Sequence, residues 1–196
     1  MAQFDESIRG QIQALLRVMN LTRCVNEDKV LCKIEEDLFL GSVGAANNKD
    51  DLKRLNVTHI LTVASTLKPA YPDDFVYKVI AVGDREDTNI REHFDECFEF
   101  IDEAKRLGGG VLVHCFVGKS RSSHHQMKCE CYFCLSLKGH VISVTIVVAY
   151  LMKKHGMSLS QALEHVKSRR RQASPNSGFI SQLQEYEKFL QVLALT

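Results

Sequence analysis

Two apolar segments near the middle of the chain constrain its fold most strongly. Residues 111–115, VLVHC, form a short apolar strand, and residues 144–152, VTIVVAYLM, have the composition of a buried helix. A strand without polar alternation is typical of a sheet that is covered on both faces. Between the two segments lie a loop at residues 116–122 and about twenty residues crowded with His and Cys.

The other strand and helix patterns place this strand in an α/β fold. β-branched and aromatic residues predict four more strands, at KVLCKI (29–34), LFLGS (38–42), THILTVAS (58–65) and FVYKVIAV (75–82). Helical periodicity predicts six helices, at 5–22, 49–56, 90–110, 144–156, 158–171 and 178–195. Strands interleaved with helices, followed by a helical tail, predict one domain with a central sheet flanked by helices.

Composition argues against several classes of function. The formal net charge is +1, so global charge does not favour a nucleic-acid or membrane partner. The longest apolar run, Val141–Met152, has about 12 residues and is too short to span a bilayer. The first ten residues lack the apolar stretch of a secretory signal, so we expect a cytoplasmic or nuclear protein. Four of the seven cysteines fall within 115–134, which favours a reactive thiol or a metal over disulfides.

The loop after the apolar strand has the features of a phosphate site. Cys115 is followed by five residues and then by Arg121. Such a loop turns successive backbone N–H groups inward around a tetrahedral dianion, and the same field favours a thiolate at Cys115. The planar guanidinium of Arg121 can hold two phosphate oxygens. The predicted phosphate-binding residues are Phe116, Val117, Gly118, Lys119, Ser120 and Arg121.

Two rival interpretations of this loop fit poorly. A nucleotide-binding loop would require glycine five residues before Gly118, where the chain has Val113. A Cys–His hydrolase would require a base facing the sulfur, whereas His114 is the chain neighbour of Cys115 and points to the other face of the strand. A buried, inert cysteine after a strand is the remaining structural alternative.

Cleavage of a phosphoester by a thiolate also requires a proton donor for the leaving oxygen. The stretch AVGDREDTN follows a predicted strand and offers Asp84, Glu86 and Asp87 on a loop. Loops at strand ends can bring such groups over a site. Spacing alone does not choose among the three.

Four segments together resemble the Cys-dependent dual specificity protein phosphatases, and small plant members most of all. They are LFLGSVGAANNKDDLKRLNVTHILTV (38–63), VGDREDTNI (82–90), VLVHCFVGKSRS (111–122) and SPNSGFISQL (174–183). The resemblance implies a protein-tyrosine-phosphatase-like sheet flanked by helices. It places the phosphatase domain at residues 26–196, interrupted by an insert at 123–143, after an amphipathic amino-terminal arm at 1–25.

The same resemblance implies a role for each matching residue. Cys115 would attack phosphorus and form a phosphocysteine, while Arg121 binds the phosphoryl oxygens. Asp84 would act as the general acid and then activate water, and the Ser122 hydroxyl would assist departure of the thiolate. Supporting positions are His114, before the nucleophile, and Asn176, in the PN-x-GF element that is expected to support the loop.

Substrate class is also implied by the resemblance. The chain lacks the K-N-R-Y type of loop that deepens the pocket of tyrosine-only phosphatases, which fits a shallow site open to phosphotyrosine, phosphoserine and phosphothreonine. Mitogen-activated protein kinases are the usual substrates of the family. The resemblance implies no metal and no other cofactor.

The insert interrupts the family pattern directly after the loop. Removing residues 123–143, or equally 122–142, would join SRS to VTIVVAYLM, so the 21 extra residues resemble a product of alternative splicing. The displaced helix should direct its N-terminus at the phosphate. Burying the polar residues of the insert would cost several kcal/mol, so we expect it to be extruded. An impaired or inactive form that binds phosphoproteins is the alternative function.

Two further segments suggest binding. The insert contains zinc-ligand types at His124, His125, Cys129, Cys131, Cys134 and His140, but C-x-C-x2-C is not the paired spacing of common zinc sites. A flexible thiol-rich loop is the simpler interpretation. Residues 5–22 form a basic amphipathic pattern that suits calmodulin, or a helix that packs on its own domain.

Overall fold

The computed structural model describes residue 12 and residues 28–65, 67–115 and 142–194. Within these ranges the chain forms one sheet and six α-helices. The strands are β1 Cys32–Glu35, β2 Leu38–Gly41, β3 Val57–Val63, β4 Val76–Ile80 and β5 Gly110–His114. The helices are α1 Val43–Ala46, α2 Lys49–Arg54, α3 Phe94–Arg106, α4 Ile142–His155, α5 Leu159–Arg169 and α6 Ser177–Leu193, with a 3-10 turn at Arg91–His93.

The sheet places the strand that leads to Cys115 at its centre. The strand order is β1-β2-β5-β3-β4. Strands β2, β5, β3 and β4 run parallel, and β1 pairs antiparallel with β2. The predicted α/β fold with a helix-flanked central sheet is therefore confirmed. Parallel strands end at a common edge, which is where ligands of such sheets bind.

Alternate residues of the strands enter two separate apolar cores. On β5, Val111 and Val113 face the larger core, which is built with α3, α4, α5 and α6. Leu112 faces a smaller core on the other side, where it packs with residues of α2 and the segment before β4. This period of two explains why the strand has no polar alternation, because both of its faces are covered.

Helix α4 is buried on every side, as its composition predicts. All eleven residues from Ile142 to Met152 are at most 2% exposed. Burial of each Val, Ile or Leu side chain there stabilises the fold by about 1.5–3 kcal/mol. The helix begins at Ile142, next to the restart expected near Ser143. Most of the insert lies outside the described residues, so its extrusion stays a prediction.

Three local features differ from the sequence-based expectations. The helix expected from residue 90 begins as a 3-10 turn and becomes α-helical only at Phe94. Helix α5 ends at Arg169, because Arg170 adopts an extended backbone and its guanidinium bonds the buried carboxylate of Asp28 at 2.6 Å. Helix α1 was not expected, since it has only four residues and depends on its Ser42 cap.

The amino-terminal arm predicted at 1–25 lies outside the described residues, except for Ile12. That residue is helical and 51% exposed. The calmodulin hypothesis for residues 5–22 therefore stays a prediction. Among the described helices, none has both the length and the apolar character required to cross a bilayer.

Candidate active site

Cys115 lies directly beyond β5, at the carboxyl edge of the sheet. Cys115 is 4% exposed and belongs to the larger apolar core. No disulfide joins it to Cys32 or Cys97, the other two cysteines in the described part of the chain. The predicted phosphate-binding residues that follow, Phe116, Val117, Gly118, Lys119, Ser120 and Arg121, and the predicted hydroxyl of Ser122 lie outside the described residues. Their roles stay predictions.

His114 is a structural partner of the strands beside Cys115. Its Nε2 lies 2.8 Å from Thr62 Oγ1 on β3, and its Nδ1 lies 3.3 Å from the carbonyl oxygen of Cys115. Burial lowers the pKa of His114 to about 4, so the ring is neutral at pH 7. A carbonyl can only accept, so Nδ1 carries the proton and Nε2 accepts from Thr62. His114 thus links β5 to β3 and supplies no positive charge to the thiolate.

The loop with the three candidate acids leaves the same edge of the sheet as Cys115. Val63 at the end of β3 pairs with Ile80 of β4, while Thr62 pairs with His114 of β5. Ile80 and Cys115 therefore lie at the same level, on either side of β3. Two strand spacings separate them, roughly 10 Å.

The three candidate acids have different partners in the structure. Arg85 binds both carboxylate oxygens of Asp87, with Nε–Oδ1 and Nη2–Oδ2 distances of 2.9 and 2.8 Å. This hydrogen bonding holds the pKa of Asp87 below its usual range, which makes it the poorer proton donor. The backbone of Glu86 lies against Gly178 of α6. Asp84 is exposed to solvent and accepts a hydrogen bond from the neutral amide of Asn176.

Asn176 joins Asp84 to helix α6. Its Oδ1 accepts the N–H of Phe179 at 2.8 Å and caps the helix, while its Nδ2 donates to Asp84 Oδ1 at 3.1 Å. The residue is only 2% exposed and its contact with Phe179 is buried, whereas its contact with the exposed Asp84 is partly open to water. The sequence interpretation assigned Asn176 to support of the loop after Cys115. In the described residues its side chain supports the candidate acid.

Two residues at this site were missed from the sequence. Gly178 and Gln182 lie one helical turn apart on α6 and face the acid-bearing loop. Gln182 Oε1 accepts the N–H of Ile90 at 3.0 Å, and its Nε2 donates to the carbonyl of Thr88 at 2.8 Å. Gly178 and Gln182 are spaced i, i+4 in the helix that Asn176 caps, which places both on one face of that helix. This spacing could have identified them from the sequence.

A metal centre has no support in the part of the chain that the structure describes. No group of three or more His, Cys, Asp or Glu side chains there is arranged to hold an ion. The zinc-ligand types of the insert, His124, His125, Cys129, Cys131, Cys134 and His140, lie outside the described residues. The zinc alternative therefore has no test in the structure.

Comparison with known proteins gives a consistent result over most of the chain. The family described as dual specificity phosphatase, catalytic domain, matches residues 38–127 and 137–189. Dual specificity protein phosphatase 1 of Arabidopsis thaliana is 60% identical over 190 residues, which are 97% of this chain and 85% of the relative. Dual specificity protein phosphatase 1B of the same plant is 55% identical, over 88% of this chain and 90% of the relative.

A solved structure shows the same fold. A mouse protein described as a dual specificity phosphatase, complexed with zinc tungstate, superposes with a TM-score of 0.68 at 29% identity, covering 84% of this chain and 90% of that one. The family match spans both the strand that ends at Cys115 and the helix that follows the insert. Fold, family match and high identity to two named enzymes agree, and the chain belongs to the dual specificity phosphatase family.

Proposed function

We propose that this chain removes phosphate from phosphotyrosine and from phosphoserine or phosphothreonine in proteins, through a phosphocysteine intermediate. The observation that carries the proposal is the placement of Asp84. The loop of Asp84 leaves the sheet at the edge where Cys115 follows the central strand, and Asn176 orients its carboxyl group. A nucleophile and a proton donor at one edge are the two groups that the reaction requires.

In the first step, Cys115 Sγ attacks phosphorus as a thiolate. The S–P bond forms while the bond from phosphorus to the leaving oxygen breaks, and that oxygen takes a proton from Asp84. Asn176 donates to Oδ1 of Asp84 and thereby orients the carboxyl group that we assign to the proton transfer. Protonation matters because an alkoxide from serine or threonine is a far poorer leaving group than the neutral alcohol.

In the second step, the ionised Asp84 accepts a proton from water as that water attacks the phosphocysteine. The P–O bond to water forms, the S–P bond breaks, and the products are inorganic phosphate and the Cys115 thiolate. We propose that residues 116–121, with the guanidinium of Arg121, hold the phosphoryl oxygens during both steps. The Ser122 hydroxyl is proposed to stabilise the departing thiolate.

The proposed oxyanion site has support from a similar protein. The mouse structure described above is complexed with zinc tungstate. Tungstate is a tetrahedral oxyanion with the shape of phosphate, so a fold of this kind accommodates such a group. We therefore propose tungstate and vanadate as competitive inhibitors of this chain.

Finer expectations are proposed on the same basis. Mitogen-activated protein kinases are proposed as substrates, calmodulin as a partner of residues 5–22, and the cytoplasm and nucleus as locations. The alternative, an inactive phosphoprotein-binding form, is not favoured, because both Arabidopsis relatives are named as phosphatases at 55–60% identity. An activation-loop peptide that carries phosphothreonine and phosphotyrosine is the appropriate substrate with which to test dual specificity.

Acid-quench trapping tests the proposed intermediate. The full chain is mixed with ³²P-labelled phosphopeptide, stopped in acid, and digested to locate the label. We expect label on the peptide that contains Cys115, and loss of both label and turnover in Cys115→Ser. The matched control is Cys32→Ser, a half-buried free cysteine whose replacement still offers an acceptor to Arg170. Turnover without a labelled cysteine would contradict the mechanism.

A further inference from the structure

Gln182 uses every polar group of its side chain on one loop. Its Oε1 accepts the N–H groups of Ile90 and Arg91, at 3.0 and 3.2 Å, and its Nε2 donates to the carbonyl of Thr88 at 2.8 Å. The Arg91 N–H lies at the start of a helical segment and would otherwise lack an intrahelical partner, while the Ile90 N–H is shared with the carbonyl of Thr88 at 3.1 Å. Glutamate would lack the donor, and asparagine would be one methylene too short to keep the same contacts.

Those contacts lead by a short chain of bonds to Asp84. Gln182 holds the carbonyl of Thr88, and the Thr88 hydroxyl donates to the carbonyl of Gly83 at 2.9 Å. Gly83 is the residue before Asp84, and its carbonyl also accepts the N–H of Arg85 at 3.0 Å. The loop is thus folded around the Gly83 carbonyl, and Gln182 anchors the far end of that fold.

Gly178 fixes the middle of the same loop by close contact. A Cβ built on Gly178 would lie 1.9 Å from the carbonyl oxygen of Glu86 and 2.8 Å from its Cα. Contacts below 3.0 Å with backbone atoms cannot be relieved by rotating a side chain. The two backbones approach each other directly, and only glycine permits this approach.

From these three anchors we propose that Gln182, with Gly178, is a positioning residue for proton transfer by Asp84, because α6 holds the whole loop 83–91 in the donating geometry. This inference rests on the proposed function. A general acid must lie within hydrogen-bond reach of the leaving oxygen, and a displacement of about 1 Å can cost on the order of 100-fold in rate. Gln182 touches no reacting atom and acts through Thr88 and Gly83.

The test uses the dependence of rate on the leaving group. Turnover of phenyl phosphate, whose leaving group is basic, requires the proton of Asp84 far more than turnover of 2,4-dinitrophenyl phosphate. In the full chain, Gln182→Ala should lower kcat/KM for phenyl phosphate by about tenfold or more and leave the dinitrophenyl ester within about twofold. Inhibition by vanadate should be unchanged. The matched control, Gln184→Ala, removes an exposed glutamine from the same helix and should change neither rate.

A double-mutant cycle separates positioning from general damage. In the Asp84→Asn background, Gln182→Ala should have no further effect, because the acid that it positions is already absent. Gly178→Ala displaces the loop by another route and should give the same leaving-group pattern. Equal losses on both esters, or a full Gln182→Ala effect in the Asp84→Asn background, would overturn the proposal. Failure of the proposed function would differ: Asp84→Asn and Cys115→Ser would themselves retain wild-type rates.

Discussion

The substitution Asn176→Asp separates the two roles that Asn176 combines in one amide. The side-chain oxygen caps α6 by accepting the Phe179 N–H, and the side-chain nitrogen donates to Asp84. Aspartate caps helices as well as asparagine does, and its charge suits a helix N-terminus. It has no N–H group, however, so Asp84 would face a second carboxylate in place of a donor.

The expected magnitude follows from the 3.1 Å contact. Two unit charges 4 Å apart repel by about 1 kcal/mol in water and by about 4 kcal/mol at an effective dielectric constant near 20. Asp84 is exposed, so we expect the lower part of this range, about 1–2 kcal/mol. That energy opposes ionisation of Asp84 and equals roughly one pH unit. The variant should therefore retain its catalytic proton to higher pH.

The assay is kcat/KM for phenyl phosphate across the pH range, together with thermal unfolding. In Asn176→Asp the basic limb should move up by about one unit, and the same repulsion of about 1–2 kcal/mol should lower Tm by about 2–8 °C at a pH where both carboxylates are ionised. In Asn176→Ala the cap is lost as well, which should cost about 1 kcal/mol and lower Tm by about 2–4 °C. A pH profile of Asn176→Asp that superimposes on that of the parent chain would refute the role of Asn176 in orienting Asp84.

Three other predictions follow from features of the fold and the insert. The folded-state pKa of His114 is about 4, below its ordinary 6.5, so unfolding takes up a proton at pH values between the two. About 3 kcal/mol of folding stability should therefore be lost as pH falls through that window. An NMR titration midpoint near 6.5 for this ring would contradict the prediction. Arg170→Met leaves the Asp28 carboxylate, which is 5% exposed, without its guanidinium partner. This change should lower the free energy of unfolding, measured with urea, by about 3 kcal/mol. A loss below about 1 kcal/mol would be inconsistent with a buried ion pair. Both the full chain and a variant that lacks residues 123–143 should turn over aryl phosphates, and the deletion variant should be faster. Turnover by the deletion variant alone would favour the inactive, phosphoprotein-binding form for the full chain. Equal rates would show that the insert has no inhibitory role.

The arrangement of the sheet could be predicted because its determinants are local. Residues 111–113 are apolar on both faces of a short strand, which favours a covered parallel sheet, and the structure places β5 at the centre. The buried helix after the insert was predicted for the same reason, since Ile142–Met152 offers no polar face to water. The hydrophobic pattern thus predicts burial correctly for elements whose own residues determine which of their faces are covered.

The choice among the three acids could not be predicted from spacing. Asp84, Glu86 and Asp87 lie within four residues, and their difference arises from partners elsewhere in the fold. Arg85 binds Asp87, while Asn176 reaches Asp84 from 92 positions further along the chain. Such long-range pairing leaves no local pattern. The same limit explains Arg170, whose burial against Asp28 is hidden within a run of basic residues.

The close approach at Gly178 makes one position informative in other chains of this fold. Because the Glu86 carbonyl occupies the place of a Cβ at residue 178, any side chain there forces the acid-bearing loop into another path. The residue that follows the PN-x element can therefore indicate, from the sequence alone, the path of the distant acid-bearing loop. In splice forms and paralogues that keep the Cys and Arg residues but lack this glycine, we expect the acid of this loop to donate its proton poorly.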